Sequence, residues 1–148
     1  MLSVYPTLLD LPAPKLLVYT PYTIVAEKFE ALVTLGEANS RMKDYFDLTQ
    51  LATHDRFEGI VLQAAIRTAF AARGTLVPTT VPEGLEQAFS QLPQKQSQWS
   101  SFMRNRRQSG LRLEDAVAQA RVFLMPICIA GAESRQFAAT WHPGGPWT

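Results

Sequence analysis

The spacing of apolar residues changes once along the chain. From residue 4 to residue 19 the run Val-Tyr-Pro-Thr-Leu-Leu-Asp-Leu-Pro-Ala-Pro-Lys-Leu-Leu-Val-Tyr reads as two short extended segments joined at Pro12-Ala13-Pro14. A lone two-stranded ribbon is marginal in water, so these strands need helices, another chain or further strands to lie against. From Tyr22 the period becomes helical. A first helix is expected over about 23–35, stopping near Gly36, and a second from a cap at Asn39-Ser40 to about residue 53. A third opens at Asp55 with Glu58 three residues on, a capping-box pattern, and ends at Gly74.

After a linker holding Pro78 and Pro82, Leu85, Ala88, Phe89 and Leu92 mark a short fourth helix stopped by Pro93. Trp99, Phe102, Met103 and Arg106 mark a fifth, ending at Gly110. Leu113, Val117, Ala120 and Leu124 mark a sixth, broken or kinked at Pro126. The fold expected is α+β and mostly α: a short N-terminal β-hairpin or sheet fragment over 1–20, a five- to six-helix bundle over 21–130, and a flexible C-terminal tail over 131–148 whose end is rich in Gly and Pro. No internal repeat is present.

Two of these helices carry charge on their apolar faces. At about 100° per residue, Ala31, Ile24, Leu35, Leu32, Val25 and Phe29 form one arc of the first helix, and Lys28 lies inside it. Glu30 and Thr34 fall on the opposite face, and Glu27 flanks the arc. In the second helix, Leu51, Leu48, Ala52 and Tyr45 form an arc into which Arg41 and Asp44 project, with Asp47 at its edge and Lys43 facing away. A lysine aimed at a core needs a partner or a route to solvent, and one such helix is explained by ordinary pairing or snorkelling. Two in succession favour convergence of Lys28, Arg41 and Asp44, as a partly buried ion network or as one wall of an anion and metal site. Phosphoryl or nucleotidyl transfer suits these residue types: lysine and arginine hold phosphate oxygens, and an aspartate orients a nucleophile.

Composition limits the alternatives. The 148 residues are 47% hydrophobic, enough for one compact domain, and the net charge of +1 provides no global field toward nucleic acid or anionic lipid. The single cysteine, Cys128, and the two histidines, His54 and His142, have no zinc-like spacing, and a reducing, cytoplasmic setting is expected. The apolar run 122–130 is too short to span a bilayer, and no signal peptide opens the chain. No membrane role is expected.

The segments Tyr5-Pro6-Thr7-Leu8-Leu9-Asp10, Val25-Ala26-Glu27-Lys28-Phe29-Glu30-Ala31 and Asn39-Ser40-Arg41-Met42-Lys43-Asp44-Tyr45-Phe46-Asp47-Leu48 resemble the AbiEii/AbiGii toxin family of nucleotidyltransferases. Glu-Lys followed at this separation by Arg-x-Lys-Asp-x-x-Asp is the specific part of the match. The resemblance implies the C-terminal part of a polymerase-beta-like fold. It also implies transfer of a nucleotide from a nucleoside triphosphate (NTP), with Mg2+, to an acceptor that is tRNA in some members, and a cognate antitoxin as partner. By the match Lys28 would contact triphosphate, Asp44 or Asp47 would be the later essential carboxylate, and Arg41, Lys43 and Glu27 would support the site. The family's N-terminal Gly-Ser turn and Asp-x-Asp or Asp-x-Glu pair have no counterpart here. Two-metal chemistry needs carboxylates that bridge both ions, so no metal ligand is assigned within this chain, which is expected to be a truncated form, inactive alone.

Two further readings stand beside this one. A non-catalytic helical interaction module could dimerise through the exposed N-terminal strands. An RNA-contacting helix could use Arg104, Arg106, Arg107 and Arg112, with Lys95, Trp99 and Phe102 nearby; the plainer reading of that stretch is a solvated face over a core containing Trp99 and Phe102. His54 reads as a surface or capping residue, and Cys128 as a packed thiol.

Overall fold

The computed structural model describes residues 20–106 and 110–148. The strands expected over 4–19, the dimerisation edge they would offer, and Arg107 lie outside the described residues. Six α-helices and one two-stranded sheet make up the rest: α1 (Pro21–Leu35), α2 (Met42–His54), β1 (Phe57–Glu58), α3 (Gly59–Ala72), α4 (Gln87–Gln91), α5 (Pro93–Met103), α6 (Leu113–Ala132) and β2 (Thr140–Trp141). The α+β, mostly α expectation holds.

The Thr20 side chain accepts the Thr23 N–H at 3.2 Å and Pro21 occupies the first turn, so α1 starts ahead of its apolar stripe. Gly36 ends it at a positive φ of 54°, which favours glycine, and donates its N–H to the Leu32 carbonyl. Val25, Ala26, Phe29 and Leu32 of α1 are buried, with Leu62, Ile66 and Phe70 of α3 and Met42, Tyr45 and Leu48 of α2. α6 supplies ten buried residues, among them Val117, Phe123, Leu124 and Ile127. It is long and apolar enough to cross a membrane by length and composition, but half of the apolar stretch is buried within the fold. It runs unbroken through Pro126 rather than stopping there. The carbonyl that Pro126 leaves without a helical donor belongs to Val122, whose side chain is 54% exposed.

Three expectations are corrected. Asp55 does not cap α3; it closes α2, its N–H donating to the Leu51 carbonyl, and Glu58 sits in β1. β1 forms because β2 pairs with it, Phe57 opposite Trp141 and Glu58 opposite Thr140. The segment expected to be a flexible tail is accordingly packed: Trp141 is 1% exposed, donates its indole N–H to the Ala52 carbonyl at 2.7 Å, and lies 4.7 Å from the Phe123 ring. Trp147 donates to the Phe123 carbonyl at 2.9 Å. Lastly, α5 closes at Met103 instead of reaching Gly110.

Candidate functional site

Lys28 of α1 and the acidic residues of α2 meet. Lys28 Nζ lies 3.0 Å from Asp44 Oδ1 and 3.1 Å from Asp47 Oδ2, and Lys43 Nζ is 2.6 Å from the same Asp47 oxygen. Helical geometry sets this up: residues 44 and 47 are one turn apart, so both carboxylates present to one side, and Lys43 reaches Asp47 across four residues. The start of α2 is fixed by Asn39, fully buried, whose Oδ1 accepts the Arg41 N–H at 2.7 Å.

Asp44 is the most enclosed member, its side chain 4% exposed. Arg41 Nε stands 2.9 Å from Asp44 Oδ2. Its N–H is not directed at that oxygen, however, and Oδ2 is buried without a hydrogen-bond donor. A buried carboxylate oxygen with an ionic neighbour and no donor is an under-satisfied acceptor. Arg41 itself is 57% exposed, so it rims the cluster instead of pointing into the core as its wheel position implied. Lys43 stays at the surface and Glu27 is exposed.

Burial works against the charge on Lys28, but hydrogen bonds to Asp44 and Asp47 and their negative charge outweigh it and hold the ammonium above its ordinary value. Burial likewise opposes the charge on Asp47, and Lys43 and Lys28 overcome it, holding its carboxyl below the usual range.

Beside this cluster opens a polar cleft of about 280 Å³, lined on α1 by Glu27, Lys28 and Glu30 and flanked by Arg41 and Arg73. Glu30 was expected to face solvent and is 5% exposed. The turn after α3 folds over that face of α1, and the Thr75 and Thr34 hydroxyls each donate to Glu30 Oε2 at 2.7 Å. Burial raises the Glu30 pKa, but those two hydrogen bonds and the charge of Arg73 hold it below the usual carboxylate value. The wheel could not show this, because the covering partners lie more than forty residues downstream.

Of the basic stretch, Lys95 and Trp99 are held within the fold, while Arg104 and Arg112 are exposed. Lys95, grouped by sequence with the basic stretch, is 2% exposed, donates to the Asn39 carbonyl at 2.8 Å and stands over the Phe89 ring. Trp99 is buried and donates to the Leu111 carbonyl at 3.0 Å. The Arg106 guanidinium lies 3.7 Å above Phe102 and donates to its carbonyl, whereas Arg112 is an exposed partner of Asp115. His54 is exposed near the Gln50 carbonyl. Cys128 is buried, which pushes its thiol up to about 12.

The Lys28 ammonium already stands between Asp44 and Asp47 where a cation would bind, and no cluster of three metal-ligating side chains occurs among the described residues. In comparison with known proteins, the family model described as "Nucleotidyl transferase AbiEii toxin, Type IV TA system" matches residues 2–119. No curated protein and no solved structure matches.

Proposed function

Because the chain belongs to the AbiEii nucleotidyl transferase toxin family, we propose that the cleft at Lys28 holds the phosphates of an NTP during transfer of its nucleotide to an acceptor such as tRNA. The convergence of Lys28 with Asp44 and Asp47 at the edge of a polar cleft carries this reading. An ion network whose only task was to join α1 to α2 would not need the polar cleft that Lys28 and Arg41 line.

In the reaction proposed, an acceptor hydroxyl oxygen attacks the α-phosphorus, the bond from that phosphorus to the β-phosphate oxygen breaks, and pyrophosphate leaves. The hydroxyl proton passes to solvent water, while the enclosed Asp44 carboxylate holds Lys28 through Oδ1 and Arg41 through Oδ2. Lys28 and Arg41 meet the negative charge that grows on the leaving oxygens. Asp47, paired with Lys43, steadies Lys28 from its second side, and Glu27 stands at the mouth of the cleft. Mg2+, which the resemblance implies, has no ligand set among these residues, and no step here runs through it. The type IV toxin-antitoxin description of the family makes a separate antitoxin the partner proposed.

Calorimetric titration of each NTP, with magnesium, into the full chain tests the reading. Lys28→Ala is expected to weaken binding by about tenfold or more, the order of a lost charge-assisted contact. Failure of the wild-type chain to bind any NTP, or equal binding by Lys28→Ala in a folded state, overturns it.

A further inference from the structure

We propose that Arg73 is a further phosphate contact, closing on the triphosphate from the wall of the cleft formed by the end of α3, an assignment that rests on the reading of this cleft as a triphosphate site. Nothing in the family-like segments points to it, since it follows α3, a different helix from both.

Charge balance in the cleft motivates the assignment. Lys28 is shared between Asp44 and Asp47, and Arg41 faces Asp44, so the positive charges of the motif are largely offset by the motif's own carboxylates. Arg73 lines the same cleft and makes no ion pair among the described residues. The charge of Arg73 acts through space on its carboxylate neighbour there, Glu30, both of whose hydrogen bonds come from Thr34 and Thr75. Arg73 is thus the cleft cation with the least of its charge already committed. Its planar guanidinium can donate to two phosphate oxygens at once.

The local fold also holds Arg73 in place. The Arg73 and Thr75 N–H groups both donate to the Phe70 carbonyl, at 3.1 and 2.9 Å, around Gly74 in a left-handed conformation at φ 67°. The Thr75 hydroxyl then fastens this turn to Glu30 of α1. The residue is therefore carried on a turn anchored at both ends, and its backbone is set before any ligand arrives. The plainer role, a cation complementing the negative end of α3, would make Arg73 matter for stability and leave anion binding unaffected.

Calorimetry with inorganic triphosphate at low ionic strength separates these roles in the full chain. Arg73→Gln is expected to bind about tenfold more weakly, with an unchanged far-UV spectrum, and Arg73→Lys to recover part of the loss. Lys28→Ala runs alongside as the control for the cleft itself. Wild-type affinity in Arg73→Gln, with binding lost in Lys28→Ala, overturns the Arg73 assignment and leaves the cleft reading standing. Absence of triphosphate binding by the wild-type chain overturns both. Should Arg73→Gln fail to fold, Arg73→Lys at wild-type affinity in every salt condition overturns the assignment as well, since a bidentate contact does not survive that exchange.

Discussion

Lys28 Nζ donates to Asp44 Oδ1 at 3.0 Å, joining α1 to α2 between side chains that are 19% and 4% exposed. At such burial, removing one partner costs more than removing both. Lys28→Met strands Asp44 beside Arg41 alone and is expected to destabilise the fold by about 2 kcal/mol, below the full range for a broken buried pair because Lys28 keeps some contact with water. Lys28→Met combined with Asp44→Leu is expected to be at least as stable as Lys28→Met alone, with a coupling of about 1–2 kcal/mol. Urea denaturation of the four members of this cycle measures it. Strict additivity would show that the pair is not coupled in solution.

Acid should loosen the same region through two carboxylates. Glu30 and Asp47 have folded pKa values below their ordinary values of 4.5 and 3.8. Stability contributed by a depressed carboxyl is complete above its unfolded value and is lost as pH falls toward its folded one. The folding free energy should therefore decline below about pH 4.5 through Glu30 and below about pH 3.8 through Asp47. Glu30→Gln should be less stable than wild type at neutral pH and should show a shallower acid limb. Lys28 acts in the opposite sense: its raised pKa means its contribution is present below pH 10.5 and fades at higher pH. Thermal melts across pH 3–7, about one unit apart, check the acid limb, and an identical limb in Glu30→Gln would contradict it.

Much of this was legible in the sequence where interactions are local. The apolar stripes of α1 and α2 and the charges Lys28 and Asp44 on them predict the contact that the structure contains. Gly36 and Pro93 mark true boundaries, the first ending α1 and the second opening α5. What local pattern could not reveal were partners far along the chain. Glu30 reads as a surface residue until Thr75 covers it, and Asp55 reads as the cap of α3 until the pairing of β1 with β2 sets the start of that helix at Gly59, with Glu58 in the cap position. Arg73 carries no signal of its own, being one exposed arginine before a helix-ending glycine. The Gly-Pro content of the last residues resembles a loose tail, and only the indole of Trp141 filling space beside Phe57 and Phe123 reverses that reading.

Trp141 gives a direct test of that reversal. Its ring is buried and its N–H has a protein acceptor, so Trp141→Ala leaves a void and takes one of two donors from the Ala52 carbonyl, which keeps the Gly144 N–H at 2.8 Å. A loss of about 3–5 kcal/mol is expected, the range for large aromatic truncations in a core. Trp141→Phe should lose less, since it retains most of the ring. Tryptophan fluorescence should be blue-shifted in the native chain and should lose that component in Trp141→Phe. Unchanged stability in Trp141→Ala would return the C-terminal segment to the loose state its composition implies.

Gly59→Ala sets helix propensity against packing. Gly59 opens α3, where alanine would ordinarily be neutral or gain up to about 1 kcal/mol. Its N–H donates to the Ala139 carbonyl at 2.8 Å, and a Cβ here would stand 2.5 Å from the Phe137 carbonyl oxygen and 2.7 Å from that of Ala139. Those are backbone atoms and cannot swing aside as a side chain would. They are held further by the buried Gln63 amide, which donates to the Arg135 carbonyl and accepts the Phe137 N–H. The added methyl must push residues 137–139 off α3 and strain the pairing of Phe57 with Trp141. Gly59→Ala is therefore expected to destabilise by about 2 kcal/mol, within the range for overpacked sites, and to speed hydrogen exchange at the Gly59 and Phe137 amides. The Lys28 cleft does not include Gly59, so triphosphate affinity in the folded variant should stay within about twofold of wild type, well under the 1.4 kcal/mol of a tenfold change. A stabilised Gly59→Ala would mean that the C-terminal strand does not approach α3 this closely.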